Sequence, residues 1–194
     1  MTILNLTVLH KKYHDTVFLR YLDSKPNSYI LKILFYAYRY LKSKKAGVKI
    51  VLADPTGSSL FHRVKYGVCY TNQQSEKTVK KHRYDSIVEG VGLDRVTANF
   101  QLAEIDDAEK ICDQEIVDTA HWLLREEGLF VGSSSAMNVA AAVRVAKKMP
   151  SNSVIVTIIC DSGQRHLSRF WNPSYIEKYN LLWPVKDVIP EFLE

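Results

Sequence analysis

The chain has 194 residues, of which 46% are apolar and 24% are charged. This composition is typical of one ordinary globular domain and excludes a disordered, collagen-like or disulfide-stapled chain. Lysine and arginine number 26 against 21 aspartates and glutamates, but residues 1–46 alone hold nine of these cations, two of the acids and none of the eight glycines. The sequence therefore joins a basic, glycine-free leader to a nearly neutral body.

The first predicted elements form a helix, strand and turn. Residues 29–45 have helical apolar spacing, and lysines followed by Gly47 are typical of a helix C-terminus. The β-branched run at residues 48–53 predicts a buried strand, and the Asp-Pro-Thr-Gly segment at residues 54–57 predicts a turn after it. A second short strand is predicted over residues 86–91. Helices alternating with short apolar strands indicate an α/β sheet.

Two helices and a further strand are predicted next. Asp106 followed three residues later by Glu109 has the pattern of a capping box, which predicts a helix from Asp106 to Gly128. An alanine-rich helix is predicted over residues 134–149. The nearly continuous β-branched run at residues 153–160 predicts a strand that is buried on both faces. The aromatic residues of the tail are expected to pack back on the body: Trp171, Tyr175, Tyr179 and Trp183.

The cysteines and the N-terminus indicate an intracellular protein. Cys69, Cys112 and Cys160 have no CxxC pairing, which predicts buried, free thiols in a reducing compartment. The N-terminus lacks a secretory signal, so we expect a cytoplasmic location, with mitochondria as the alternative. Cations interrupt the longest apolar run, at residues 29–40, and no membrane span is predicted.

Four motifs occur in the body in a specific order and spacing. They are Val48–Ser58, Val88–Gly92, Glu126–Ala136 and Asp161–Ser168. Together they resemble the C-terminal half of the cysteine synthase and cystathionine β-synthase family, pyridoxal-phosphate enzymes of the type II fold. The resemblance covers about residues 38–183. It implies a partial, mainly parallel sheet with flanking helices.

The resemblance also implies an activity and roles for three residues. The family reaction is a β-replacement that makes cysteine from an activated serine, a small amino-acid substrate, usually in a homodimer. Ser162 matches the serine that hydrogen-bonds the pyridine nitrogen of pyridoxal phosphate. Gly90 and Gly92 match the glycine loop of the substrate cleft, where a Cβ atom would crowd the bound amino acid.

Two motifs of that family are not found in the 194 residues. One is the Ser-x-Lys-Asp/Asn-Arg segment with the Schiff-base lysine, and the other is the Gly-Thr-Gly-Gly-Thr loop that binds the cofactor phosphate. No catalytic residue is therefore assigned. We expect residues 1–37 to be unrelated to the family, residues 38–194 to be part of a cysteine synthase-like domain, and the chain to be truncated and inactive alone. The alternative is a non-catalytic module that pairs with a full-length homologue or a membrane surface.

Metal and nucleic-acid binding have weaker support. His10 and His14 have an i, i+4 spacing, but no third ligand clusters with them, so no metal site is predicted. The basic run at residues 80–83 is best interpreted as a solvated loop because the body is net negative. Contact of the basic N-terminus with an anionic membrane is a further possibility, less favoured than packing against a partner.

Overall fold

The protein is represented by a computed structural model that describes residues 39–70, 86–93 and 95–184, together with the backbone of residues 5–8 and 15–19. The strands of this part of the chain form one sheet. They are β1 (Asn5–Val8), β2 (Asp15–Leu19), β3 (Lys49–Pro55), β4 (Asp107–Ile111) and β5 (Val154–Ile159).

The sheet has the strand order β1-β5-β2-β3-β4. Strand β1 is antiparallel to β5, and the pairs β5-β2, β2-β3 and β3-β4 are parallel. In the middle of the sheet, the Cα atom of Val17 in β2 is opposite Val156 of β5 on one side and Ile50 of β3 on the other. The mainly parallel sheet that was expected is therefore present, and β2 lies at its centre.

Helices flank this sheet. Residues 39–44 are helical and precede β3. The helices that follow are α1 (Leu60–Tyr66), α2 (Ala98–Gln101), α3 (Asp113–Glu126), α4 (Ser133–Ala146) and α5 (Pro173–Lys178), with a 3₁₀ helix at Gly163–His166. Sheet and helices together confirm the predicted α/β fold class.

The main core lies between the sheet and helices α3 and α4. Ala136, Ala140 and Ala141 of α4 are fully buried, and such small side chains let the helix backbone approach the sheet closely. Ile116 and Val117 of α3 are also fully buried in this core. The alanine-rich sequence of α4 is therefore a packing feature.

The prediction of a helix from Asp106 was wrong, because residues 107–111 form β4. The Asp106 carboxylate accepts a hydrogen bond from the backbone N–H of Ile50 at 2.7 Å, which joins it to β3. Helix α3 begins at Asp113, and its capping box is formed by Cys112 and Glu115, with Glu115 Oε2 3.0 Å from the Cys112 nitrogen. The capping box therefore lies six residues later in the sequence than predicted.

The predicted strand at residues 86–91 is also absent from the structure, which has bends and turns there. The Asp113 carboxylate accepts hydrogen bonds from the Ser86 hydroxyl at 2.8 Å and from the Ile87 backbone N–H at 3.0 Å. A side chain thus satisfies polar groups that strand pairing would otherwise satisfy. Ile87 and Val88 have strong β propensity, but in this structure they are buried without forming a strand.

Strand β5 is half-buried along its length, which corrects the expectation of burial on both faces. Ile155 and Ile159 contact the main core, whereas Ile158 contacts a smaller cluster around Val48 and Ile50. Both faces of β5 are therefore covered only in part.

The cysteine thiols are more exposed than predicted. Cys69 and Cys112 are exposed and Cys160 is half-buried, because Cys112 occupies the N-cap of α3 and Cys69 lies just beyond the C-terminus of α1. The tail packs as expected for Trp171, Tyr175 and Trp183, which contact the main core, whereas Tyr179 is 38% exposed.

The capping assignment can be tested by replacing Glu115. Glu115→Ala removes the reciprocal cap of α3 and the ion pair of Glu115 with Arg144, so the free energy of unfolding should fall by about 1–2 kcal/mol. Urea denaturation measures the change. The matched control is Glu126→Ala, at the exposed C-terminal end of the same helix, which should cause no loss. An unchanged midpoint for Glu115→Ala would contradict the assignment.

Candidate cofactor and substrate site

Ser162 lies just beyond the carboxyl end of β5, where ligands bind in open α/β sheets. It is exposed and is the N-cap of the 3₁₀ helix, and its Oγ atom accepts a long hydrogen bond of 3.4 Å from the Gln164 backbone N–H. No hydrogen bond among the described residues uses its hydroxyl proton. The side chain can therefore donate to an incoming acceptor such as a ring nitrogen.

The backbone on both sides of Ser162 is held against the segment that precedes α4. Ser162 forms an antiparallel bridge with Val131. The Gly163 N–H donates to the Phe130 carbonyl at 3.1 Å, and the Gly132 N–H donates to the Asp161 carbonyl at 3.1 Å. These bonds fix the position of the Ser162 turn, defined as residues 161–166.

The first turn of α4 adds a side-chain contact to the same backbone. The buried hydroxyl of Ser135 accepts hydrogen bonds from the Cys160 N–H at 2.8 Å and the Asp161 N–H at 3.4 Å. Ser135 therefore satisfies the donors at the end of β5. This serine has a structural role next to Ser162.

The glycine loop, residues 89–93, requires both of its glycines. Gly90 and Gly92 have φ angles of +67° and +88°, which L side chains rarely adopt. At Gly92 an added Cβ atom would also lie 3.1 Å from Pro55 Cγ and 3.2 Å from Ser58 Cβ. The described contacts thus give Gly92 a packing role; they do not test the predicted crowding of a bound amino acid.

Two serines after β3 anchor the end of this loop. The fully buried Ser58 hydroxyl accepts from the Leu93 N–H at 3.0 Å and donates to the Leu93 carbonyl at 3.2 Å. The Ser59 hydroxyl donates to the same carbonyl at 2.9 Å. Both backbone groups of Leu93 are satisfied by α1's N-terminal segment, so the loop is fixed to it.

Asp54 is a buried residue of this region whose importance the sequence did not reveal. One of its carboxylate oxygens accepts from the Phe61 N–H at 2.7 Å, so Asp54 caps α1 from the preceding strand. Burial raises the pKa of Asp54 to about 7, although the nearby Ser58 hydroxyl and Phe61 N–H lower it. In the sequence Asp54 precedes a proline and resembles an ordinary turn residue, so its hydrogen bond to Phe61, seven residues later, was not predicted.

The structure brings the Ser162 turn and the glycine loop together. The Arg169 guanidinium donates to the Glu89 carboxylate at 2.7 Å, and His166 Nδ1 lies 4.0 Å from the other oxygen of Glu89. Glu89 directly precedes Gly90, and His166 is the last residue of the 3₁₀ helix after Ser162. The spacing of two motifs separated by about seventy residues of sequence could not predict this contact.

Other predicted features fall outside the described residues or have no counterpart among them. His10, His14 and the basic run at residues 80–83 lie outside the described ranges. In the described part of the chain, no group of three His, Cys, Asp or Glu side chains could hold a metal ion. The same part contains no helix with the length and apolar character needed to cross a bilayer.

Comparison with known proteins identifies the family. A family model described as pyridoxal-phosphate dependent enzyme matches residues 37–161, more than half of the chain. The chain belongs to this pyridoxal-phosphate dependent family. The predicted family resemblance is thereby confirmed.

Curated relatives place this pyridoxal-phosphate family chain near cysteine synthases. It is 47% identical over 146 residues to cysteine synthase 2 of Schizosaccharomyces pombe, a match that covers 74% of this chain and 37% of the relative. It is 48% identical over 136 residues to a Saccharomyces cerevisiae protein named "Putative mitochondrial cysteine synthase", covering 69% of this chain and 35% of that protein. The chain thus spans little more than a third of the length of these relatives.

A solved structure agrees with the fold. The O-acetylserine dependent cystathionine β-synthase of Helicobacter pylori matches with a TM-score of 0.59 and 24% identity, over 80% of this chain and 42% of that chain. This likeness confirms the type II pyridoxal-phosphate enzyme fold that the motifs implied.

One described residue of this family member, Ser162, has the chemistry to hydrogen-bond one edge of pyridoxal phosphate. The Ser162 hydroxyl is exposed and has a proton to donate, which suits the unprotonated pyridine nitrogen. The sequence contains neither the lysine motif nor the phosphate-binding glycine motif of the family. Of the family's cofactor-binding motifs, the sequence therefore retains the one with Ser162, which matches the residue beside the ring nitrogen.

The protonation of Asp54 gives a testable dependence of stability on pH. The pKa of Asp54 is about 7 in the folded chain against 3.8 for a free side chain, so between these values the folded state binds the extra proton. The contribution of Asp54 to the free energy of unfolding should be largest below about pH 4. It should fall by up to about 4 kcal/mol as the pH rises from there through 7.

Asp54→Asn keeps an oxygen that can accept from the Phe61 N–H and removes the titration. Urea denaturation across pH should therefore show a smaller fall for this variant than for the unchanged chain. Glu126→Gln, an exposed carboxylate on α3, serves as the control and should leave the profile unchanged. Identical profiles for Asp54→Asn and the unchanged chain would contradict the buried, protonated state.

Two glycine substitutions separate backbone strain from packing. Gly92→Ala should lower the free energy of unfolding by about 1–2 kcal/mol for its positive φ angle and by about 1–3 kcal/mol more for the contacts with Pro55 and Ser58. Gly128→Ala is the matched control, because its φ is +67° but nothing lies within 4 Å of the added Cβ. Thermal or urea unfolding should show the larger loss for Gly92→Ala; equal losses would mean that the glycine loop is not packed against Ser58.

Proposed function

We propose that this chain contributes the ring-nitrogen and substrate-loop half of a cysteine synthase-like site, and that it is inactive alone. The family reaction is a pyridoxal-phosphate dependent β-replacement that makes cysteine from an activated serine. The observation that carries the proposal is the contact of Glu89 with Arg169 and His166, which brings Ser162 and the glycine loop to one place in a chain of this family.

Each group would have a separate task. Pyridoxal phosphate, when bound, supplies the electron sink for cleavage at the β carbon of the amino acid. The Ser162 hydroxyl would donate a hydrogen bond to the ring nitrogen; being neutral, it would leave that nitrogen unprotonated. The glycine loop would admit the amino-acid substrate, since Gly90 and Gly92 present no side chain.

The remaining tasks need groups that these 194 residues do not contain. The Schiff-base lysine and the phosphate-binding glycines belong to motifs that are not found in these 194 residues. A full-length homologue, or a second polypeptide with those motifs, would supply them. The name of the S. cerevisiae relative supports mitochondria as the alternative to a cytoplasmic location.

Borohydride trapping tests the proposal. The chain alone, supplied with pyridoxal phosphate, should give no stoichiometric trapped lysine adduct and no cysteine from O-acetylserine and sulfide. A mixture with the N-terminal part of the S. pombe relative should give both. A stoichiometric adduct and turnover by the chain alone would contradict inactivity, whereas a stable complex without cofactor binding would favour the non-catalytic module.

Ser162→Ala makes the test specific to the proposed residue. In the active mixture this variant should weaken the affinity for pyridoxal phosphate about tenfold, because one hydrogen bond to the ring is lost. Ser168→Ala changes an exposed serine of the same segment and is the control. Equal affinities for the two variants would remove Ser162 from the cofactor site.

A further inference from the structure

We propose that His166 is a positioning residue that couples the Ser162 turn to the glycine loop. The functional meaning of this coupling rests on the proposed function, but the coupling itself is a property of the chain. The imidazole lies between two carboxylates, one on each of the two segments.

On its first side, His166 holds the residue that precedes Ser162. The imidazole is buried, with 8% of the residue exposed, and its Nε2 atom lies 2.8 Å from Asp161 Oδ2. The Asp161 backbone is already bonded to Gly132 and Ser135. The side-chain pair therefore ties His166 to the anchored end of β5.

The neighbouring glycine makes room for this pair. A Cβ atom at Gly132 would lie 2.8 Å from His166 Nε2 and would overlap Asp161 Oδ1. Gly132 precedes α4 with a φ of −77°, which any residue can adopt. The requirement for glycine at this position is therefore a requirement of space for the Asp161–His166 pair.

On its second side, His166 faces the glycine loop. Its Nδ1 atom lies 4.0 Å from Glu89 Oε2, beyond hydrogen-bonding distance. The other oxygen of Glu89 accepts from Arg169 at 2.7 Å, so two residues of one segment converge on one carboxylate. Because Glu89 is bonded directly to Gly90, movement of either loop changes the surroundings of the other.

Such a coupling suits the proposed site. The ring nitrogen and the amino-acid substrate would be held by different loops, and small displacements between reacting groups lower rates strongly. Contacts through Ser58 and Ser135 fix each loop to its own helix, not to the other loop. His166 and Arg169 both contact Glu89 of the glycine loop from the segment that follows Ser162.

Amide hydrogen exchange of the chain without cofactor tests the coupling. His166→Gln should accelerate exchange at least threefold in residues 161–164 and also in residues 89–93, because both loops lose the imidazole. A merely local structural role would accelerate exchange in residues 161–164 alone. Arg165→Gln, an exposed neighbour, is the control and should change neither segment.

A variant on the other side of the contact, Glu89→Gln, keeps the test decisive if His166→Gln does not fold. Glu89→Gln changes a partly exposed side chain of the glycine loop and should accelerate exchange in residues 161–164, across the contact. Unchanged exchange there would overturn the proposal. These measurements need no cofactor, so they can succeed when trapping fails, and a failure of either does not imply a failure of the other.

Discussion

The site depends on the attachment of the first turn of α4 to the end of β5. Ser135 accepts from the Cys160 and Asp161 N–H groups, and Gly132 donates to the Asp161 carbonyl. Buried backbone donors and acceptors must be paired, and these bonds pair them while leaving Ser162 exposed at the turn. An exposed hydroxyl on a rigid turn is the arrangement that recognition of a ring nitrogen requires.

A second attachment of the same kind holds the glycine loop. The buried Ser58 hydroxyl pairs with both backbone groups of Leu93, and the Asp54 carboxylate caps α1 next to it. Both loops are thus fixed by short polar side chains at the start of a helix. The two attachments are separate, and Glu89, His166 and Arg169 form the contact between them.

Sequence patterns predicted the parts of this arrangement that depend on local order. The β-branched runs located β3 and β5. The four motifs singled out Ser162, Gly90 and Gly92, whose roles at a cofactor and substrate stay predictions. The helix start at Asp106 was predicted wrongly because a capping pattern is short, and because the true N-cap, Cys112, is not among the residues that favour this position. The pairing of residues 107–111 with β3 decides the assignment. Asp54 and His166 were not identified, because the burial of both residues and the approach of His166 to Glu89 appear only in the folded chain.

The leader also bears on the fold. Backbone pairing places residues 15–19 between β3 and β5, so a segment predicted to be unrelated to the family lies at the centre of the family sheet. Residues 37–161 alone match the family model. The different origin of residues 1–37 stays a prediction. In this chain β2 lies between β3 and β5 and is paired with both of them.

The most direct measurement of the central claim is the ¹⁵N chemical shift of the pyridine nitrogen. Labelled 4′-deoxypyridoxine 5′-phosphate, which needs no lysine, would be bound to this chain together with the N-terminal part of the S. pombe relative. We expect the shift of an unprotonated, hydrogen-bonded nitrogen, which moves on Ser162→Ala and not on Ser168→Ala. A protonated nitrogen, or one that does not respond to Ser162→Ala, would contradict the account.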